Sequence, residues 1–171
     1  KAPLAATQNM FQDENGSLIS GSNHEGLKSA GVPGTVAGLF LAHEKYGILP
    51  WFELVDPSVA LAENGFPMTW SLYHWAQTIS GWDNSMDIMV DYFKNDEGEI
   101  VKPGELWKQP ALAHTLMLIR DKGKAGFYAG EVAEEIEAYM HKNGGIITAE
   151  DLKKYEAIER KPIKGTYKGY E

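Results

Sequence analysis

The sequence predicts a mainly α fold of short helices punctuated by glycine and proline, with a few short strands only towards the C-terminus. Three observations predict it. Apolar residues recur at helical spacing through residues 31–143. Pro33, Pro50, Pro57 and Pro110 stand where helices open, and Gly47, Gly65, Gly81 and Gly123 where they close. β-Branched and aromatic residues gather without helical periodicity only over residues 158–170. With 171 residues, 43% of them hydrophobic, the chain can build one compact body; domains of about 150 residues bury roughly 70% of their unfolded surface.

Residues 1–30 are polar and small, with turn signals at Asp13-Glu14-Asn15-Gly16 and Gly21-Ser22-Asn23, so a connecting segment is expected, the least ordered part of the chain. A helix follows, with Pro33 in its first turn, Gly47 at its end, and Val36, Leu39, Phe40 and His43 on one face. Gly34 and Gly38 lie one turn apart, a pattern that lets a neighbouring backbone approach. Pro50 and Pro57 predict two short helices, over residues 51–55 and 57–64, because the residue before a proline is disfavoured in helix. Gly65 closes the second. Thr69 or Ser71 then caps a helix carrying Leu72, Trp75, Ala76 and Ile79 inward and ending at Gly81. Another helix is expected over about residues 85–93. Asp96-Glu97-Gly98 makes a turn, and residues 100–107 form a short hairpin or extended excursion, since Pro103-Gly104 excludes long strands.

Pro110 opens the next helix, with Leu112, Thr115, Leu116 and Ile119 on one face and Lys122-Gly123 at its stop. Over residues 130–143, Val132, Ala133, Ile136 and Met140 oppose Glu134, Glu135 and Glu137, an amphipathic helix with a solvated acidic face. Thr148 and Asp151 nearly match a capping box and start a short helix to Tyr155. Residues 158–170, interrupted by Pro162, Gly165 and Gly169, read as edge strands. The division is therefore a connecting segment (1–30), a helical subdomain (31–156) and a strand segment (157–171).

Composition narrows the function. A net charge of −8, from 16 basic and 24 acidic residues, argues against a nucleic-acid or anionic-membrane surface, and no basic run offsets it. Without cysteine there is no disulfide, thiolate metal site or thiol nucleophile. No apolar run approaches the about 20 residues of a membrane span, and no stretch reads as a signal peptide.

Motif chemistry is equally sparse. Gly31-Val32-Pro33-Gly34 lacks the lysine of a Walker loop and the second glycine of a dinucleotide fingerprint. His24, His43, His74, His114 and His141 are scattered, and His43-Glu44 meets Gly47 where a second zinc-binding histidine belongs. No G-x-S-x-G elbow exists, and Ser17, Ser20 and Ser22 suit loop hydrogen bonding. Glu134, Glu135 and Glu137 read as a solvated face rather than a glycosidase pair. Trp70, Tyr73, His74 and Trp75 read as packing rather than a stacking platform. The residues thus nominate no catalytic, substrate-binding or metal-ligating position and no cofactor.

Val32-Pro33-Gly34-Thr35-Val36-Ala37-Gly38-Leu39 resembles the V-P-G-T-x-x-G-L helix in the large subunit of the gamma-glutamyltranspeptidase family. Further matches follow in the family's order: Leu61 to Pro67, Gln109-Pro110-Ala111-Leu112-Ala113 with Thr115-Leu116, and Gly126-Phe127-Tyr128-Ala129-Gly130. Asn143 to Leu152 with Tyr155, and Pro162 to Tyr170, complete them. Together they cover most of the chain from Gly31 onward.

The resemblance implies the middle part of the large subunit of an αββα N-terminal-nucleophile hydrolase. In that family a precursor cleaves itself, and the new N-terminal threonine of the small subunit attacks the gamma-glutamyl amide, with its own amine as base. The glutamyl group of glutathione or a related amide then passes to water, an amino acid or a peptide. The implied partners are the small subunit of the same precursor and a glutathione-like substrate; the implied location is periplasmic or extracellular; no cofactor is implied. Thr7, Thr35, Thr69, Thr78, Thr115, Thr148 and Thr166 are internal, so none fills the nucleophile's role. The family segment R-E-x-A-P aligns its last three positions with Lys1-Ala2-Pro3, placing an arginine that helps hold the glutamyl carboxylate just upstream of Lys1. Opening on Lys1 and closing on Glu171 in mid-strand, the chain reads as an inactive structural excerpt of a longer protein. Two rival readings stand beside it: a related enzyme on the same scaffold, such as a cephalosporin acylase or capsule-processing transpeptidase, and a non-catalytic helical interaction module.

Overall fold

Helices do most of the building, as the proline and glycine punctuation requires. The computed structural model describes residues 1–80 and 87–170. In chain order these form α1 (Thr35–Tyr46), α2 (Trp51–Asn64), β1 (Phe66–Pro67), α3 (Trp70–Ser80), α4 (Asp87–Asp91), β2 (Leu106–Trp107), α5 (Pro110–Lys122), α6 (Ala125–Tyr128), α7 (Glu131–Lys142) and α8 (Ala149–Lys153). The two strands pair antiparallel, Phe66 opposite Trp107 and Pro67 opposite Leu106. Turns and a 3-10 turn at Leu27–Ser29 occupy the stretch before α1.

Two clusters of buried side chains hold these elements. One gathers Met68, Ala76, Ile79, Val90, Phe93, Val101 and Trp107. Phe93 stacks on Trp107 with centroids 4.8 Å apart, and the Trp107 indole N–H donates to the Tyr92 carbonyl at 2.7 Å, so the ring is buried with its polar edge satisfied. The other gathers Val32, Ala37, Tyr128, Ala133, Ile147 and Leu152 from distant parts of the chain. α2 also packs along α5, burying Val59 and Ala62 on one helix and Ala113 and Ile119 on the other. The Trp51 indole N–H ties the pair by donating to the Ile119 carbonyl at 2.9 Å.

Several boundaries and faces differ from expectation, each for a local reason. α1 starts at Thr35 with Gly34 as its N-cap, leaving Pro33 outside the first turn. Ala37, not Leu39, is its buried residue; Leu39 is 60% exposed. The Tyr128 hydroxyl meets the first turn of α1 at Ala37, which fixes the inward side. α2 is one continuous helix with Pro57 inside it and Pro50 as N-cap, instead of two helices. Proline removes the amide that would pair with the Glu53 carbonyl, but both residues are exposed, where water satisfies that oxygen. Thr69 is the cap of α3, its hydroxyl oxygen accepting from the Leu72 N–H at 3.2 Å. Trp75 on that helix is partly exposed and sits edge-on to Phe93. The expected stop at Gly81 and the start near Ser85 lie outside the described residues, and α4 ends at Asp91, short of Phe93.

The remaining elements follow the same logic. A bridge between Lys94 and Ile100 closes a small hairpin around the Asp96–Gly98 turn, while the excursion beyond it returns as β2. Pro110 holds the first position of α5, and Leu112 is exposed where Ala113 is buried. Val132 and Ala133 are buried on α7, with Ile136 and Met140 packed beside them. α8 ends at Lys153, before Tyr155. The strands expected over residues 158–170 do not form: the segment carries no regular structure apart from one bridge between Tyr167 and Tyr170 that closes a turn. Strands need a neighbour to pair with, and Ile163 here is fully exposed at 102%.

Candidate functional site

Several side-chain hydrogen bonds meet at the start of α8. Thr148 caps the helix through a full capping box: its hydroxyl accepts from the Asp151 N–H at 3.2 Å, and Asp151 Oδ2 accepts from the Thr148 N–H at 2.9 Å. The Thr148 hydroxyl also donates to Oδ2 at 2.8 Å. Glu137 of α7, expected on a solvated face, instead turns its Oε1 to the Ala149 N–H at 3.1 Å, so another free amide of the first turn is satisfied.

Asp151 reaches further than its own helix. Only 3% exposed, it accepts at Oδ1 from the Leu4 N–H at 2.6 Å, a contact spanning most of the chain. Burial opposes its ionisation, but the hydrogen bonds from Leu4 and Thr148 outweigh that penalty and hold its pKa below the ordinary aspartate value. Lys1 completes the fastening: its carbonyl accepts from the Val32 N–H at 2.9 Å, and its ammonium lies 3.5 Å from the Lys154 carbonyl. Pro3 is buried between the two attachments.

A second lock sits beside the first. Gly34 offers α1 no side-chain cap, because the Tyr155 ring fills the place a side chain would take: a Cβ there would come 2.1 Å from the Tyr155 hydroxyl. The cap comes instead from Tyr128, whose hydroxyl oxygen accepts from the Ala37 N–H at 3.3 Å while donating to the Pro33 carbonyl at 2.8 Å. Burial pushes the Tyr128 phenol above its ordinary pKa, which keeps it a donor. Tyr128 and Tyr155 stack at 5.5 Å. The close approach expected at the glycine pair is thus made by a side chain, at Gly34 alone; Gly38 faces open space.

The other sequence-selected groups do not converge on chemistry. His43 is spent on the Leu49 carbonyl at 2.8 Å and His114 on Glu131 at 3.0 Å. Among the described residues no group of three or more histidine and acidic side chains is placed to share a metal ion. A groove walled by Tyr92, Val101, Leu106, Trp107 and Leu112 opens beside the start of α5, and Asp91 on its rim is paired with Lys94 at 2.7 Å. Sequence reasoning named Asp151 as a cap and placed Tyr128 and Tyr155 within matched motifs, but nothing in local spacing discloses contacts across the chain.

The gamma-glutamyltranspeptidase family model matches residues 1–171. The chain belongs to that family. It is 40% identical to the glutathione hydrolase proenzymes of Pseudomonas sp. (strain A14) and Escherichia coli (strain K12), over 99% of its own length. It spans 30% and 29% of those relatives, so most of each lies outside the matched region. Among solved structures, gamma-glutamyltranspeptidase from Helicobacter pylori matches 99% of this chain at 41% identity and a TM-score of 0.86, with 49% of that chain covered. The same helices are found more distantly in the transpeptidase enzyme CapD of Bacillus anthracis (37% identity, TM-score 0.68, 82% of this chain and 46% of that one). A cephalosporin acylase from Bacillus halodurans matches at 31% identity and a TM-score of 0.73, over 84% of this chain and 28% of that one. Gamma-glutamyltranspeptidase-like enzymes therefore use this arrangement of helices as part of a larger body.

Proposed function

We propose that this chain is the helical scaffold in the large subunit of a gamma-glutamyltranspeptidase precursor, packing against an αββα sandwich formed by the rest of that precursor. The observation that carries this is the family match over all 171 residues, combined with a span of only 30% of a relative named as a proenzyme. In this reading the complete enzyme transfers the gamma-glutamyl group of glutathione and related amides to water, amino acids or peptides. The small subunit's N-terminal threonine is the nucleophile, and an arginine just upstream of Lys1 helps hold the glutamyl carboxylate. The scaffold itself supplies no nucleophile and is inactive alone. Its location is periplasmic or extracellular.

Exposed apolar side chains support a covered role for the segment after α8. Ile158, Ile163, Tyr167 and Tyr170 all face outward here, an arrangement that a neighbouring strand would bury. Residues 157–171 would then lead into the sandwich, with residues 31–156 as the helical subdomain outside it.

The test is to express the complete precursor and the 171-residue chain side by side, following subunit maturation on a gel and release of p-nitroaniline from a gamma-glutamyl anilide. Two subunits and turnover by the precursor alone are expected. Turnover by the chain alone, or a precursor that stays uncut and inert, would sink the proposal. Likeness to the cephalosporin acylase and to CapD supports one alternative, a related activity on the same scaffold. A precursor that matures yet prefers a cephalosporin amide or a capsular polymer over the anilide would select it.

A further inference from the structure

We infer that Asp151 is a positioning residue: its second carboxylate oxygen fixes the segment from Lys1 to Leu4 on α8 and thereby sets the course of the backbone that precedes it in the precursor. The inference rests on the proposed function, in which that preceding backbone carries a substrate-holding side chain.

The division of labour between the two carboxylate oxygens carries the argument. A capping box needs one oxygen of the N3 residue, and Oδ2 does that work with both Thr148 donors. Oδ1 is turned away from the helix and accepts from the Leu4 N–H at 2.6 Å, a contact the cap has no use for. A short charge-assisted bond to a buried carboxylate is worth more than a neutral one and is directional. The second attachment, from the Val32 N–H to the Lys1 carbonyl at 2.9 Å, lies three residues away with Pro3 buried between them. Two fixed points and a buried proline leave the backbone leading into Lys1 little freedom of direction. Both points sit on elements of one core, since Val32 and Leu152 belong to the same buried cluster. The segment is thus fastened to the part of the molecule that closes the long-range fold.

The experiment uses the complete precursor, matured and active. Asp151→Asn should raise the KM for a gamma-glutamyl anilide about tenfold, while kcat changes less than about threefold, since loosened positioning weakens binding before it weakens chemistry. Hydrogen exchange should show the Leu4 amide opening about tenfold faster. Thr148→Ala is the control for a purely local role: it weakens the α8 cap and lowers Tm but leaves the Leu4 bond, so its KM should stay within about twofold. Should Asp151→Asn fail to mature, Leu4→Pro decides. The Ala6 N–H bonds to the Pro3 carbonyl at 3.1 Å, which puts Leu4 second in a turn, a position that accepts proline. That variant deletes the donor and displaces Oδ1, so it should reproduce the KM rise, with Thr148→Ala accounting for any accompanying loosening of the cap. An unchanged KM in the matured Asp151 and Leu4 variants, or an equal rise in Thr148→Ala, would overturn the inference. An inert wild-type precursor would instead strike the proposed function.

Discussion

The two buried clusters are assembled from opposite kinds of chain. The one around Ile79 and Trp107 draws all its residues from positions 68–107, so its loops are short and each contact is reached soon after the last. The one around Tyr128 and Leu152 joins Val32 and Ala37 to residues from position 128 onward. Loop closure costs more entropy for the second, and apolar contact alone gives it no direction. Its polar bonds supply the direction: Leu4 to Asp151, Ala37 to Tyr128 and Tyr128 to Pro33 all cross the chain. In the local cluster the corresponding bonds, such as Trp107 to Tyr92 and Val101 to Phe93, join near neighbours. Long-range closure here relies on specific hydrogen bonds, whereas local closure follows from helix and hairpin geometry.

The largest expected effect asks whether the two clusters are separate at all. Leu152 has no exposed surface, so Leu152→Ala should cost about 2–5 kcal/mol. Hydrogen exchange should then show α1, α6 and α7 losing protection while the amides of α3 near Ala76 and Ile79 keep theirs. Equal loss across both regions would make them one cooperative unit and dissolve the comparison.

Gly34→Ala comes next and probes how tightly the distant cluster closes. The new methyl would meet the Tyr155 hydroxyl at 2.1 Å and its ring carbon at 2.7 Å, and that ring cannot swing freely because it stacks on Tyr128. Destabilisation of about 1–3 kcal/mol is expected from overpacking. In a Tyr155→Phe background, with the hydroxyl gone, the cost should shrink; a double-mutant cycle by urea denaturation measures the coupling. Additive effects would show that the ring moves aside without resistance.

How much of this was legible in the sequence follows the same division. The faces of α3 and α7 could be read from spacing, since Ala76 with Ile79 and Val132 with Ala133 lie inward as helical periodicity demands. The capping box of α8 was legible because it is complete within four residues. Misreadings cluster where a distant residue decides the outcome. Leu39 is more hydrophobic than Ala37, yet the Tyr128 hydroxyl makes Ala37 the buried position of α1. Pro57 signals a break, but continuous packing of α2 on α5 overrides it on an exposed side. Residues 158–170 have strand composition, but among the described residues their only strand-type pairing is the Tyr167–Tyr170 bridge. Asp151, Tyr128 and Tyr155 were visible as motif members, but Leu4 was not, and no local rule links Leu4 to Asp151.

Tyr128→Phe gives a smaller effect on the same lock. Loss of the hydroxyl strands the Ala37 N–H and the Pro33 carbonyl while leaving the ring stack in place. A cost of about 1–2 kcal/mol is expected, in the range for a lost helix cap. Thermal denaturation of the variant measures it, and a neutral result would mean that water replaces the phenol and that the long-range bonds are not what orients α1.

Gly38→Ala is the smallest effect and has the opposite sign. Gly34 and Gly38 read alike in the sequence, one turn apart on the same helix, but a methyl on Gly38 meets nothing within 4 Å. Its N–H already bonds the Gly34 carbonyl at 3.0 Å in ordinary helix, so alanine changes only the backbone entropy lost on folding. Stabilisation of about 0.5–1 kcal/mol should follow from the difference in helix propensity, read as a higher urea midpoint at unchanged slope. The pair thus isolates the effect of the distant cluster: one glycine is required by a ring that arrives from Tyr155, and the other is free to change. If Gly38→Ala destabilised the chain within the complete precursor but not alone, the open space over Gly38 would be where another part of that precursor comes close.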